Sequence, residues 1–167
     1  MVSASDYAST MKTLGDRRTY KPFSAIRVVL SRPPLAAATV RAIVAELERN
    51  PTVGFHGFSI ELLGGAVRDV GPRATAYAAR AADFLYDLVS YWDSALDTRL
   101  NTESVERLFR LSYRPEKRDV VYVGFPVNRL PDHLDAYYRH NKARLVRIKN
   151  AIDPLRVLAF PTGIVEA

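Results

Sequence analysis

The chain contains no cysteine, and that absence removes several kinds of chemistry at once. A disulfide scaffold, a thiolate nucleophile, a Cys-ligated zinc or iron–sulfur site and a flavin tethered through a cysteine of this chain all need a side chain that is missing. Histidine is scarce: His56, His133 and His140 are the three in the chain, and none has a second ligand at metal spacing, so no metal site is expected. No G-x-G-x-x-G follows a candidate strand, no P-loop lysine motif occurs, and Gly64-Gly65 reads as turn geometry rather than a phosphate cradle. The G-x-S-x-G elbow of α/β-hydrolases is absent too. The longest apolar stretches, Ile26 to Leu30 and Val120 to Pro126, fall far short of the roughly 20 residues a membrane-spanning helix requires. The start, Met1-Val2-Ser3-Ala4-Ser5-Asp6-Tyr7, has no basic region followed by an apolar run, so no secretory signal is expected and the cytoplasm is the expected compartment.

What is present suits one folded unit. With 167 residues, 48% of them hydrophobic, the chain can fill a core without a disulfide or metal staple. Its 24 Lys and Arg, 19 of them Arg, exceed its 18 Asp and Glu for a net charge of +6. That excess is moderate, and the cations near the C-terminus alternate with apolar positions, so a solvated surface is expected rather than a nucleic-acid footprint. Residues 15–167 read as a single domain after a flexible leader over residues 1–14.

Periodicity places the elements. Tyr20 to Leu30 is rich in β-branched and aromatic residues and stops at Ser31-Arg32-Pro33-Pro34, which predicts a strand. Val40, Ile43, Val44 and Leu47 recur at helical spacing within Leu35 to Asn50, with Arg41, Glu46, Glu48 and Arg49 on the other side. Phe58 to Leu63 reads as a strand closed by Gly64-Gly65, with Ala66-Val67 as the start of its hairpin partner. Phe84, Tyr86, Leu88, Ser90 and Trp92 alternate with Leu85, Asp87, Val89 and Tyr91, a period of two that predicts another strand. One or two helices follow over Ser94 to Arg114, with Asn101 or Thr102 as caps. Asp119 to Phe125 reads as a strand, and Asp132 to Asn150 as a helix with its stripe at Leu134, Tyr138, Leu145 and Ile148. The fold class is therefore α+β, an antiparallel β-sheet with helices packed on one face and the other face uncovered.

Two features of this pattern bear on function. Asn141 interrupts an apolar stripe, and reads best as a buried amide bonded to backbone. The aromatics Tyr77, Tyr86, Tyr91, Trp92, Tyr113, Tyr122 and Phe125 form either ordinary core or, if gathered on the open face, a platform for a planar ligand.

The run from Asp135-Ala136-Tyr137-Tyr138-Arg139-His140-Asn141-Lys142 through Arg144-Leu145 and Lys149 to Asp153-Pro154 and Val157-Leu158-Ala159-Phe160-Pro161 resembles the C-terminal signature of berberine-bridge-enzyme-like FAD-linked oxidases. Upstream, Leu62-Leu63-Gly64-Gly65-Ala66-Val67, Ala74-Thr75-Ala76-Tyr77 with Arg80, and Trp92-Asp93 follow the order of that family's substrate domain. The resemblance implies a substrate-side domain, with a C-terminal docking tail over about residues 151–167 and the family's FAD-gripping domain lying outside this chain. It also marks departures. Lys142 and Phe125 stand where the family carries active-site tyrosines, Ala79 where it carries a histidine, and Thr162 where it carries a glutamine.

A phenol able to act as base is thus replaced by an ammonium and by an inert ring. The expectation is a flavin-free relative, with no cofactor, that binds a polycyclic or aromatic natural product and carries out a non-redox step such as cyclisation, isomerisation or dehydration. The alternative is the substrate-binding subunit, or C-terminal fragment, of a split FAD-dependent oxidoreductase. The expected catalytic residues are Lys142 as acid or base and Tyr122 and Tyr91 as hydroxyl donors. Asn141 is expected to orient the substrate, with Phe125, Trp92 and Tyr138 as binding walls. A homodimer or a separate protein partner is expected to cover the sheet face and the tail, in which Leu158, Phe160 and Ile164 would otherwise be wet.

Overall fold

The computed structural model describes residues 6–9, 21–49, 55–128 and 130–164, so most of the expected leader lies outside the described residues. Strands β1 (Phe23–Ser31), β2 (Phe55–Leu62), β3 (Phe84–Trp92) and β4 (Val120–Val121) form an antiparallel sheet in the order β2-β3-β1-β4. Helices α1 (Ala37–Arg49) and α3 (Thr98–Ser112) pack against it. The α+β class is as expected. A fifth strand is not formed: Ala66 begins the short helix α2 (Ala66–Asp69), because Gly65 at φ 58° turns the chain in a conformation that needs no Cβ.

Alternation decides which side chains meet the helices. Ala25 and Val29 of β1, Tyr86, Leu88 and Trp92 of β3, and Val121 of β4 share the core with Ile43 of α1 and Val105, Leu108 and Phe109 of α3. Each such large side chain contributes about 1.5–3 kcal/mol by leaving water. The α1 stripe is rotated from the expected one. Glu46 is buried while Val40 and Val44 stay exposed, because Glu46 Oε1 accepts from Arg107 Nε at 2.6 Å and from Ser104 Oγ at 3.2 Å on α3. Asn101 caps nothing. It is enclosed in α3, where its Oδ1 accepts from Ser90 Oγ at 2.6 Å and its Nδ2 donates to the Asp97 carbonyl at 2.9 Å. Ser94 caps the preceding 3-10 turn Ala95–Asp97.

The second face of the sheet, expected to be uncovered, is covered in part. Its Leu30 and Val120 end carries a smaller cluster with Ala79 and Ala82, against which Leu63, Tyr77 and Leu85 pack. The 77–82 segment, without regular structure, therefore roofs one end.

The C-terminal part departs most from periodicity. The strand expected to reach Phe125 ends at Val121, since the chain turns there with the Phe125 N–H donating to the Tyr122 carbonyl at 3.1 Å. The single helix expected over Asp132 to Asn150 is two, α4 (His133–Tyr138) and α5 (Lys142–Ile152), joined by the 3-10 turn Arg139–Asn141. Arg139 breaks it with φ 44° and ψ −124°, and its guanidinium bonds Asp135 Oδ2 at 2.6 Å and the Asp119 carbonyl. Leu134, Ala136, Tyr137 and Val146 are consequently the buried positions, and Ile148 is exposed.

Asp119 anchors this region. Fully buried, it accepts from the Arg114 backbone N–H and Nε, each at 3.0 Å, and from Ser31 Oγ. Beyond α5, Leu155, Val157, Leu158 and Phe160 are all at least 60% exposed, while Ile164 is half-buried. Among the described residues no helix is long and apolar enough to cross a membrane.

Candidate functional site

The face of the sheet turned away from α1 and α3 places an acid among apolar residues. On β3 the residues pointing that way are Leu85, Asp87, Val89 and Tyr91, and the register sets Asp87 between Val28 on β1 and Ser59 on β2. Asp87 is half-buried, and its Oδ1 is shielded from solvent with no hydrogen-bond partner among the described residues. Burial, and then the charge of Glu61, hold its carboxyl above the usual carboxylate range. A carboxylate in that condition is a stronger base than an ordinary aspartate and takes a proton readily from a bound molecule. The alternation puts Asp87 in this row, and a carboxylate among Leu85, Val89 and Tyr91 is the sequence signal for a site there.

Tyr122 extends the same row. Its N–H donates to the Val28 carbonyl at 3.0 Å, next to the Val29 to Val121 pairing, so it stands two strands from Asp87, about 10 Å away at the usual strand spacing. Tyr122, Tyr77, Tyr137 and Tyr138 border a cavity of about 120 Å³ floored by Leu30 and Val120. Burial raises the pKa of Tyr77, Tyr137 and Tyr138, so these phenols stay neutral. The Arg80 guanidinium lies 5.0 Å over the Tyr77 ring. Phe125 tilts against Tyr122 with ring centroids 6.1 Å apart.

The structure thus brings Tyr122, Phe125 and Tyr138 together and puts Tyr91 on the Asp87 face, 6.1 Å from the Phe55 ring at the far end of the strand. The other expected residues lie elsewhere. Trp92 points to the helices, 2% exposed, stacked on Phe23 with its indole N–H donating to Thr98 Oγ1 at 3.1 Å. Strand alternation therefore encloses it in the core, where it cannot wall a ligand on the open face. Asn141 is the buried amide anticipated, its Nδ2 donating to the carbonyls of Pro72 and Thr75, each at 3.1 Å. Lys142 is bound to Asp132 Oδ1 at 2.8 Å, a bond that pulls the Asp132 carboxyl below its usual range. The pair clips the start of α5 to the start of α4.

Hollows of about 100 to about 390 Å³ are among those of the described residues, and the Gly64-Gly65 pair opens a four-residue helix rather than a phosphate loop. Nor does any group of three His, Asp or Glu among the described residues stand ready for a metal ion.

Comparison with known proteins places this geometry. Residues 121–165 match the family model described as berberine and berberine like. An FAD-linked oxidoreductase of Bacillus subtilis (strain 168), YgaK, itself uncharacterised, is 30% identical over 131 residues, which is 78% of this chain and 28% of that protein. The glycopeptide hexose oxidase DBV29, solved with teicoplanin, superposes with a TM-score of 0.78 at 21% identity over 87% of this chain and 32% of its own. Berberine bridge enzyme from Eschscholzia californica superposes at 0.69 with 16% identity over 84% of this chain and 32% of its own. The chain spans about a third or less of the length of these relatives. With that matched segment and that fold, the chain resembles one portion of the larger berberine-bridge-enzyme-like FAD-linked oxidoreductases, and residues 121–165 carry the berberine-like segment.

Proposed function

We propose that the chain is a substrate-side domain in which Asp87 is the proton acceptor for an aromatic or polycyclic natural product lying against the sheet face opposite α1 and α3. The reaction is a non-redox one, an isomerisation, cyclisation or dehydration. The carboxylate removes a proton from an activated C–H, the Tyr122 hydroxyl donates a hydrogen bond to the oxygen that gathers the charge, and the proton returns to another atom of the same molecule, which in a dehydration is the hydroxyl oxygen whose C–O bond breaks and which leaves as water. The observation that carries this reading is the half-buried Asp87 carboxyl, whose Oδ1 has no hydrogen-bond partner among the described residues. Lys142 and Phe125, where the resembled oxidases carry tyrosines, support a non-oxidative step. The ligand is held between Tyr91 and the Tyr122, Phe125 and Tyr138 group, while Asn141 and Lys142 shape the segments around it. In D2O without added flavin, the purified chain is expected to place deuterium on carbon in members of a panel of polycyclic phenols and quinones, and Asp87→Asn to slow this at least about 100-fold. Equal exchange by both proteins would remove Asp87 from the role.

A second reading rests on a different surface. Ile60 and Leu62 at the β2 edge, and Leu155, Val157, Leu158 and Phe160 in the tail, are apolar and more than half exposed, as expected of a surface covered by another protein unit. In this reading the chain supplies the substrate side of a split FAD-dependent oxidoreductase, or pairs with a second copy. Co-expression with an FAD-binding chain should then yield a complex with stoichiometric flavin absorbance; a second copy would show instead as a dimer in light scattering. A monodisperse monomer with no flavin-bearing complex would dismiss it.

A further inference from the structure

Next to the tyrosine cavity, across a ridge made by Leu30, Ala78 and Val120, lies a second hollow of about 330 Å³. Its polar rim is Arg32, Lys117, Arg118, Arg139 and His140, and no carboxylate is among the residues that line it. Its base is small, formed by the alanines of the 78–82 segment. Two of the rim groups are already committed: Arg139 to Asp135 and the Asp119 carbonyl, and His140 Nε2 to the Pro72 carbonyl at 2.8 Å. Arg32, Lys117 and Arg118 are exposed and have no side-chain hydrogen bond or ion pair among the described residues.

Three cations held around one concavity repel one another. Of the nearby acids, Asp83 is paired with Arg68 and Asp119 with Arg114, and Glu116, in the same turn as Lys117, does not line the hollow. Arg118 is kept there at the expense of backbone comfort: it caps the 3-10 turn Pro115–Lys117 in the left-handed region, at φ 64°, where glycine or asparagine would sit more easily. A carboxylate can be satisfied by one guanidinium fork, whereas a tetrahedral dianion presents acceptors to three donors arriving from different directions.

We propose that this hollow binds the phosphate of a small phosphate monoester whose aromatic part reaches over the Leu30, Ala78 and Val120 ridge into the tyrosine cavity. The aromatic half of this assignment rests on the substrate reading above; the phosphate half stands on the rim alone.

Titration calorimetry at low ionic strength tests it, with phenyl phosphate, inorganic phosphate, benzoate and pyrophosphate as probes. Phenyl phosphate is expected to bind more tightly than inorganic phosphate and benzoate, and to weaken as salt rises. The double variant Arg32→Gln, Arg118→Asn, both at exposed positions and the second tolerant of the left-handed backbone, should lower that affinity at least about tenfold. Inorganic phosphate, which makes no use of the aromatic site, should bind more weakly to the double variant as well, so a failure of the proton-transfer reading and a failure of this one are told apart. Benzoate binding as well as phenyl phosphate, or equal affinity in wild type and double variant, overturns the phosphate site. Tighter binding of pyrophosphate than of phenyl phosphate overturns the monoester and the path across the ridge.

Discussion

The carboxyls of Asp87 and Glu61 share one face of the sheet on neighbouring strands, offset diagonally: Ser59 lies opposite Asp87, and Glu61 opposite Leu85. Burial disfavours ionisation of Asp87, and the charge of Glu61 at that spacing adds to the effect.

The first prediction follows from its sign. An acid whose pKa is raised in the folded state gives up its proton more easily when unfolded, so the native state loses stability as pH climbs from the unfolded value through the folded one. Asp87→Asn removes that loss. Its melting midpoint should exceed wild type at pH 7, by about 2–4 °C for each kcal/mol regained in a chain of this size, and match it near pH 3. A variant less stable at both pH values would show that the carboxylate has a partner holding it.

His56 should make the protein acid-sensitive in a defined window. Its Nε2 meets Ser104 Oγ at 3.2 Å, its Nδ1 is buried without a partner among the described residues, and burial holds its pKa down against the pull of Glu46, with Arg107 adding to the depression. The unfolded chain therefore binds the proton first, and stability is lost as pH falls below about 6.5 toward the lower native value. In urea titrations at pH 7.5 and pH 5, His56→Gln is expected to lose less stability than wild type. Equal losses would show that carboxylates alone set the acid limb.

The Asp119 and Arg114 pair should be costly to split. Asp119 is wholly enclosed, and Arg114 also donates to Ser31 Oγ at 2.7 Å and to the carbonyls of Pro33 and Pro34, each at 2.9 Å. Asp119→Ala leaves a guanidinium stranded beside the sheet and should cost about 3–5 kcal/mol in denaturant unfolding. A cost near zero would mean that water replaces the carboxylate.

The exposed tail predicts a separation of stability from association. Replacing Leu158 and Phe160 by serine removes no buried contact, so the unfolding free energy should stay within about 0.5 kcal/mol of wild type. Sedimentation should nonetheless show weaker self-association or weaker binding of an FAD-domain partner. Unchanged association would place the covering surface elsewhere.

The sheet was legible because alternation is robust: Phe84 to Trp92 could be read directly, including the opposed rows that separate Trp92 from Asp87. The α1 face was misread because a buried acid looks polar in sequence, and only the third dimension puts Arg107 and Ser104 against Glu46. The last helix was misread for a related reason. Helical spacing continues smoothly through Arg139, and nothing local announces that its side chain will reach the Asp119 carbonyl twenty residues back. At the site, the resemblance singles out Lys142 and Asn141, whose bonds are to the scaffold, whereas Asp87 lies outside the motifs that carry the resemblance.

The break at Arg139 also fixes an angular phase. Because the chain restarts its winding at Lys142, the orientation of α5 is set by the turn and not by α4, and Asn141 and Arg144 can both grip the 72–75 segment. One residue inserted before Lys142 would roll α5 by about 100° and take Arg144 off that segment, leaving the loop under Tyr77 loose while the sheet itself stayed intact.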